Sequence, residues 1–258
     1  MTRSPKNDAE PTGHDAVAPA VALRVGPLRV LWLPKDAQVV ASEPLGAPAG
    51  ALDATEVAHR DALTHPARRL EFDRSRWLAR AALGWRGALP RDDDGVTRWP
   101  DGVIASLSHT QGHVAFARGD AGSFAGIGVD AEALTRVKAE LAPKIIAAAE
   151  SAVLERAGVH SPGEGLALTF ALKEALFKCV FPVGRRRFWF LDAALKSVEV
   201  EAVGDGGRAE LELLVDASAR TPRGAVVQGH YRWRSEGAER YVVAVALLPA
   251  SAGVQPAT

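Results

Sequence analysis

The stretch GIGVDAE, residues 126–132, is an apolar run punctuated by glycine that delivers two acids, Asp130 and Glu132, two positions apart. Residues 123–130 read as a strand that ends at these acids. On an extended backbone both side chains fall on one face, roughly 6–7 Å apart at Cα. Two carboxylates on one face repel unless a cation lies between them or one stays protonated. Oxygen ligands alone suit a hard cation, Mg²⁺ above all. The plain alternative is two acids facing water at a strand end, because D-x-E by itself is a common pattern.

Working outward, residues 103–108 and 113–118 read as a hairpin around HTQG. Before it, residues 22–33 read as strand, turn, strand, and 52–84 as helical, with HPARRLEFDRSRWLARAAL starting after Pro66 and stopping at Gly84. Residues 88–102 read as loop. After GIGVDAE come two helical patterns. One covers 138–157, with Leu141, Ile145, Ala148, Ala149 and Ala152 on its stripe. The other covers 166–181, with Leu168, Leu172, Ala175, Leu176 and Cys179. Residues 196–202, 208–215, 223–233 and 239–247 read as a strand meander. This pattern predicts an α+β protein with two similar-sized lobes, residues 21–122 and 123–249, in pseudo-twofold arrangement around a cleft. Residues 1–20 and 250–258, rich in Pro, Ala and polar groups, read as tails.

Three further features carry chemistry. In FALKEALFKCV, residues 170–180, Glu174 and Lys178 share a helix face by their spacing. They form either a solvated ion pair, or a third carboxylate with Lys173 and Lys178 aimed at phosphate. In ASLSHTQGH, residues 105–113, Ser108 and His109 offer a hydroxyl and an imidazole to phosphate. As a nucleophile pair they fail, since neighbouring strand residues point to opposite faces and no G-x-S-x-G elbow exists. His113 alone reads as a turn histidine. Arg68, Arg69, Arg74, Arg76 and Arg80 cluster on the first long helix, as a phosphate fork or as a solvated face.

The 258 residues suffice for a substantial core. Thirty-one basic residues balance 31 acidic ones, so no global field argues for nucleic acid or an anionic membrane. One cysteine, Cys179, excludes an intramolecular disulfide and fits the cytoplasm. No run is long and apolar enough to span a bilayer. P-loop, G-x-G-x-x-G, H-E-x-x-H and Cys/His zinc patterns are absent.

A basic helix, S-x-S-H, G-[IV]-x-[VI]-D-x-E and K-E-A-x-x-K, in that order across residues 25–200, resemble the 4′-phosphopantetheinyl transferases. The likeness is to their surfactin-type branch, with enzymes of the enterobactin synthase component D kind. The resemblance implies Mg²⁺ (Mn²⁺ being the alternative) on Asp130, Glu132 and Glu174, with Glu174 also a candidate base. It implies coenzyme A as substrate, held by Arg68, Arg76, Ser108, His109, Asp130, Lys173 and Lys178, with Phe188 along the pantetheine arm. Glu174, Lys178 and His109 are the implied catalytic groups. DGVTRWP, residues 94–100, resembles the adenine-side loop, with Thr97 in place of its proline, and Phe170 replaces a tryptophan. The implied partner is an apo acyl or peptidyl carrier domain of siderophore, non-ribosomal peptide or polyketide synthesis. Arg185, Arg186 and Arg187 are candidates for its acidic docking helix. A monomer suffices for such a cleft. The competing reading is a non-catalytic coenzyme A or carrier-binding module.

Overall fold

The computed structural model describes residues 19–26, 28–35, 52–202 and 205–250. The expected tails therefore lie almost wholly outside the described residues. Two antiparallel sheets organise the chain. The first has the order β1-β2-β4-β3, from β1 (Ala20–Val25), β2 (Leu28–Leu33), β3 (Val103–Thr110) and β4 (His113–Asp120). The second has the order β5-β9-β8-β7-β6, from β5 (Phe124–Ala133), β6 (Ala193–Val200), β7 (Gly206–Leu213), β8 (Val226–Glu236) and β9 (Glu239–Pro249). The expected meander is present as β6 to β9, and it closes on β5. The β3–β4 hairpin turns on Gln111 and Gly112, both with positive φ. That backbone matches the twist of the flanking strands, and glycine adopts it without a Cβ clash.

Five helices accompany the sheets among the described residues: α1 (Ala54–Asp61), α2 (Pro66–Leu83), α3 (Ala142–Ile145), α4 (Ala148–Arg156) and α5 (Pro162–Gly184). Asp53 caps α1, accepting from the Glu56 N–H at 2.8 Å. α2 begins on Pro66 and stops at Gly84 in a left-handed conformation. The helix expected over 138–157 is interrupted. Pro143 heads the short α3, and Ile146 is extended, so the chain breaks before α4. Leu141, expected on that helix's apolar stripe, is 38% exposed.

The layers run α2, first sheet, second sheet, α5. Alternation along the strands sets this order. Leu33, Val114 and Phe116 meet Leu78 and Ala79 of α2. Val30, Trp32, Ala115 and Ala117, on the opposite face, meet Ile127, Val129, Ala131, Tyr241, Val243 and Val245 of the second sheet. The other face of the second sheet, including Val242, Ala244 and Ala246, packs on the buried α5 stripe of Leu168, Leu172, Ala175, Leu176 and Cys179. Gly126 and Gly128 set the spacing there: a Cβ on Gly128 would lie 1.8 Å from the Ala175 carbonyl oxygen.

Candidate active site

The strand carrying Asp130 and Glu132 does not end at them. β5 continues to Ala133, and the acids pair across the ladder with Ala244 and Val242 of β9. They stand on the face that carries Gly126 and Gly128, toward α5, at the strand's outer edge. β3 lies against that edge. Its alternate residues Ser106, Ser108 and Thr110 present three hydroxyls to β5. Ser106 Oγ accepts from the Val129 N–H at 2.9 Å, Ser108 donates to Asp130 Oδ1 at 2.7 Å, and Thr110 donates to Glu132 Oε1 at 3.1 Å. One main-chain N–H of the strand edge, that of Val129, is thus met by a side chain, and the other two hydroxyls orient the acids.

From α5, Glu174 and Lys178 line the same cleft, of about 860 Å³, as Asp130 and Glu132. Lys178 Nζ sits 2.6 Å from Asp130 Oδ1 and 3.2 Å from Ser108 Oγ. Burial raises the Glu174 carboxyl above its usual range, and the Asp130 charge adds to it. Glu132 is raised for the same two reasons, with Arg136 partly opposing. Three carboxylates therefore repel one another here, with Lys178 against Asp130 and Arg136 3.9 Å from Glu132 as the cations beside them. Asp130 Oδ2 is buried with no hydrogen-bond donor. All-oxygen donors, mutual repulsion and an orphaned carboxylate oxygen fit a hard divalent cation. Among the described residues no group of three or more His, Cys, Asp or Glu side chains is already gathered around a single point. The fit lies in donor chemistry and free valence, and the ammonium of Lys178 takes up part of that charge.

His109 points away from Ser108, as strand alternation requires. Its Nδ1 lies 3.0 Å from Glu71 Oε2, beside the Arg68 guanidinium at 3.3 Å. Burial pushes the Glu71 carboxyl up, but the His109 hydrogen bond and charge, the Gly112 N–H and Arg68 outweigh it, leaving it at about 2. Glu71 thus orients His109, a role with no mark in the local sequence. Because the folded value lies below the ordinary 4.5, Glu71 stabilises the fold above about pH 5. That contribution is on the order of 2 kcal/mol once solvent screening at the exposed Arg68 is allowed for. It is lost as pH falls through 4.5 toward 2. Urea unfolding from pH 5 to 2 should show a shallower stability loss for Glu71→Gln than for wild type.

The arginine cluster divides. Arg69 donates to the Leu63 carbonyl at 2.6 Å, Arg74 to the Pro34 carbonyl, and Arg80 to Glu56. These three are structural. Arg68 and Arg76 line the cleft. Arg76 is 1% exposed, paired to Glu56 at 3.3 Å, laid over Phe72, and donates to Thr97 of the DGVTRWP loop at 3.4 Å. That loop lines the cleft from Asp94 to Trp99, together with Arg91. Arg91 and Arg136 are cleft cations that sequence reasoning missed, each isolated among residues of no motif.

Two expectations are corrected. Lys173 is not in the cleft. Its ammonium is buried, 2.8 Å from Glu150 Oε1 and 2.8 Å from the Ile145 carbonyl, because residue 173 is a helical step of about 100° from Glu174. Phe188 is buried behind the cleft wall, edge-on to Phe177 at 5.3 Å, and Phe177 is the residue that lines the cleft. Arg185 and Arg187 line the cleft mouth with side chains 45% and 59% exposed: Arg185 pairs with Asp92 at 2.6 Å, and Arg187 with Asp94 at 3.6 Å while lying over Phe181.

Residues 57–117 match the model of the 4'-phosphopantetheinyl transferase N-terminal domain, and residues 126–246 that of the 4'-phosphopantetheinyl transferase superfamily. The chain is 32% identical over 158 residues to the 4'-phosphopantetheinyl transferase PptT of Mycobacterium tuberculosis, covering 58% of this chain and 67% of PptT. It is 29% identical to the 4'-phosphopantetheinyl transferase Npt of Nocardia iowensis, covering 64% of this chain and 77% of Npt. The holo-[acyl-carrier-protein] synthase of Thermotoga maritima aligns at 23% identity and a TM-score of 0.34, over 48% of this chain and 63% of that one. No helix among the described residues is long and apolar enough to cross a membrane. With both family models falling on the two halves that build the cleft, and with two thirds of PptT covered, the chain belongs to the 4'-phosphopantetheinyl transferase superfamily.

Proposed function

We propose that this chain transfers the 4'-phosphopantetheine arm of coenzyme A to a serine hydroxyl of an apo acyl or peptidyl carrier domain, with Mg²⁺. The carriers are those of siderophore, non-ribosomal peptide or polyketide assembly, as in the surfactin-type branch. The observation that carries the reading is the convergence of Asp130, Glu132 and Glu174 with Lys178, His109 and Arg68 on one cleft. The carboxylates belong to a cation and the basic groups to phosphate.

In this reaction the serine oxygen forms a bond to the β-phosphorus while the bond to the bridging pyrophosphate oxygen breaks. Adenosine 3',5'-bisphosphate leaves. Phosphoryl transfer of this kind asks for positioning and charge neutralisation more than covalent catalysis. Bound to Asp130, Glu132 and Glu174, Mg²⁺ would supply Lewis-acid stabilisation of the pyrophosphate charge. Glu174, at the cleft beside the other two carboxylates, is the residue that takes the serine proton, directly or through a water. Lys178 places its ammonium beside Asp130 at the cleft centre, where the pyrophosphate charge has to be met. His109, held by Glu71, and the half-exposed Arg68 present donors to the nucleotide phosphates from the α2 side.

Arg76 has two jobs in this reading. Its Ala variant is expected to raise the KM for coenzyme A more than it lowers kcat. It should also lose about 3 kcal/mol of stability by leaving Glu56 buried with one cation fewer. Steady-state kinetics beside urea denaturation checks both, and an unchanged KM would make Arg76 purely structural.

The deciding experiment is intact-protein mass spectrometry of apo carrier domains from several assembly systems, incubated with this protein, coenzyme A and Mg²⁺, against an EDTA control. A gain of one phosphopantetheine arm, lost with EDTA, supports the reading. No gain on any carrier, with coenzyme A still bound, makes the chain a binding module.

A further inference from the structure

Lys173 is the most deeply engaged cation on α5, and it does not face the cleft. Its side chain is 1% exposed. Nζ meets both oxygens of Glu150, at 2.8 and 2.9 Å, and donates to the Ile145 carbonyl at 2.8 Å. Glu150 is itself fully engaged: Oε2 accepts from the Ala147 N–H and Oε1 from the Leu195 N–H, each at 2.6 Å. One buried ion pair therefore joins four places: the end of α3, the start of α4, the middle of α5 and the start of β6. Burial pulls the Lys173 ammonium below its usual range, and Glu150 opposes that shift.

A second contact restrains the same helix from the opposite side. Gly126 and Gly128 let β5 approach until a Cβ on either would strike the carbonyl of Cys179 or Ala175. The helix is thus held against the strand that carries Asp130 and pinned against rotation at residue 173. Glu174 is the next residue, and Lys178 lies one turn further on. If α5 turned by even a fraction of its step of about 100°, both side chains would leave the cleft.

We infer that Lys173 is a positioning residue, not a phosphate ligand: its buried pair with Glu150 sets the rotation of α5 that aims Glu174 and Lys178 into the cleft. This rests on the transfer reading for its effect on turnover, and on geometry alone for its effect on binding. A phosphate ligand and a positioning residue make different demands. Loss of a ligand weakens coenzyme A binding whatever stands at position 150, whereas loss of the pin misaims Glu174 and Lys178 whichever member of the buried pair is removed.

The test compares wild type with K173M, E150Q and the double variant K173M/E150Q. Coenzyme A dissociation constants come from calorimetry, kcat from transfer to an apo carrier domain, and folding from circular dichroism. K173M and E150Q should each lower kcat about ten- to a hundredfold, as misplacement of reacting groups by an ångström or less does, and the dissociation constant should rise alongside as Lys178 leaves the pyrophosphate. The double variant should lie within about threefold of either single variant, because all three remove the same pin. Where a single variant fails to fold, with one charge left buried alone, the neutral double variant carries the measurement. A folded E150Q with wild-type turnover and binding overturns the pin, because Glu150 touches nothing in the cleft and only its pair with Lys173 connects it to the site. Losses that multiply in the double variant, or wild-type turnover in it, overturn it too. Should wild type bind coenzyme A and modify no carrier, the transfer reading fails on its own, and the dissociation constants still decide whether Lys173 is a ligand.

Discussion

Asp130→Asn should abolish transfer, with kcat down by about a thousandfold or more, while the protein remains folded. Asparagine keeps the side-chain volume and can still accept the Ser108 hydroxyl that now binds Asp130 Oδ1 at 2.7 Å. What it removes is charge. Oδ2 is buried without a donor, and an amide there cannot serve a hard cation as a carboxylate does. Lys178 loses the partner 2.6 Å away and becomes free to wander toward Glu174, whose carboxyl should then ionise more readily. Circular dichroism and carrier mass spectrometry together decide the matter: a folded Asp130→Asn protein that turns over like wild type would remove Asp130 from the cation site.

Gly128→Val is expected to have the largest effect on the fold itself. Valine's Cβ would stand 1.8 Å from the Ala175 carbonyl oxygen and 2.4 Å from the Cys179 amide nitrogen, both of them helix backbone. Neither can rotate aside. β5 and α5 would have to separate by an ångström or more, opening gaps along the packed stripe of Leu172, Ala175 and Leu176. Overpacking of this kind costs about 3 kcal/mol or more. Thermal unfolding should show a Tm lowered by roughly 6 °C or more, or no soluble protein at all. The same change on Gly95, whose Cβ would meet nothing, would strain only a left-handed turn.

Much of this was legible along the chain. The α5 stripe is buried along its whole length, because a regular 3.6-residue period reports which side of a helix is dry. The same period placed Glu174 and Lys178 together. It could not say what faces Lys173, since Glu150 arrives from 23 residues earlier through a separate helix. The segment 138–157 carried helical spacing too, yet Pro143 and an extended Ile146 break it. Spacing records an amphipathic pattern and is blind to where the main chain must bend to let Glu150 reach Lys173. Glu71 was invisible for a related reason. It sits in a run of arginines, and only the fold brings it to His109. The strand bearing Asp130 and Glu132 extends past them because Tyr241 and Val242 of β9 go on pairing, a nonlocal fact.

The three hydroxyls of β3 have one more consequence. Ser106, Ser108 and Thr110 sew the edge of one sheet to the edge of the next, and behind that seam Trp32 and Val30 share a dry layer with Val129 and Val243. Neither half can swing away without wetting that layer. Opening the cleft at this seam therefore carries the cost of wetting that layer, and a calorimetric scan should show the two halves unfolding in one transition.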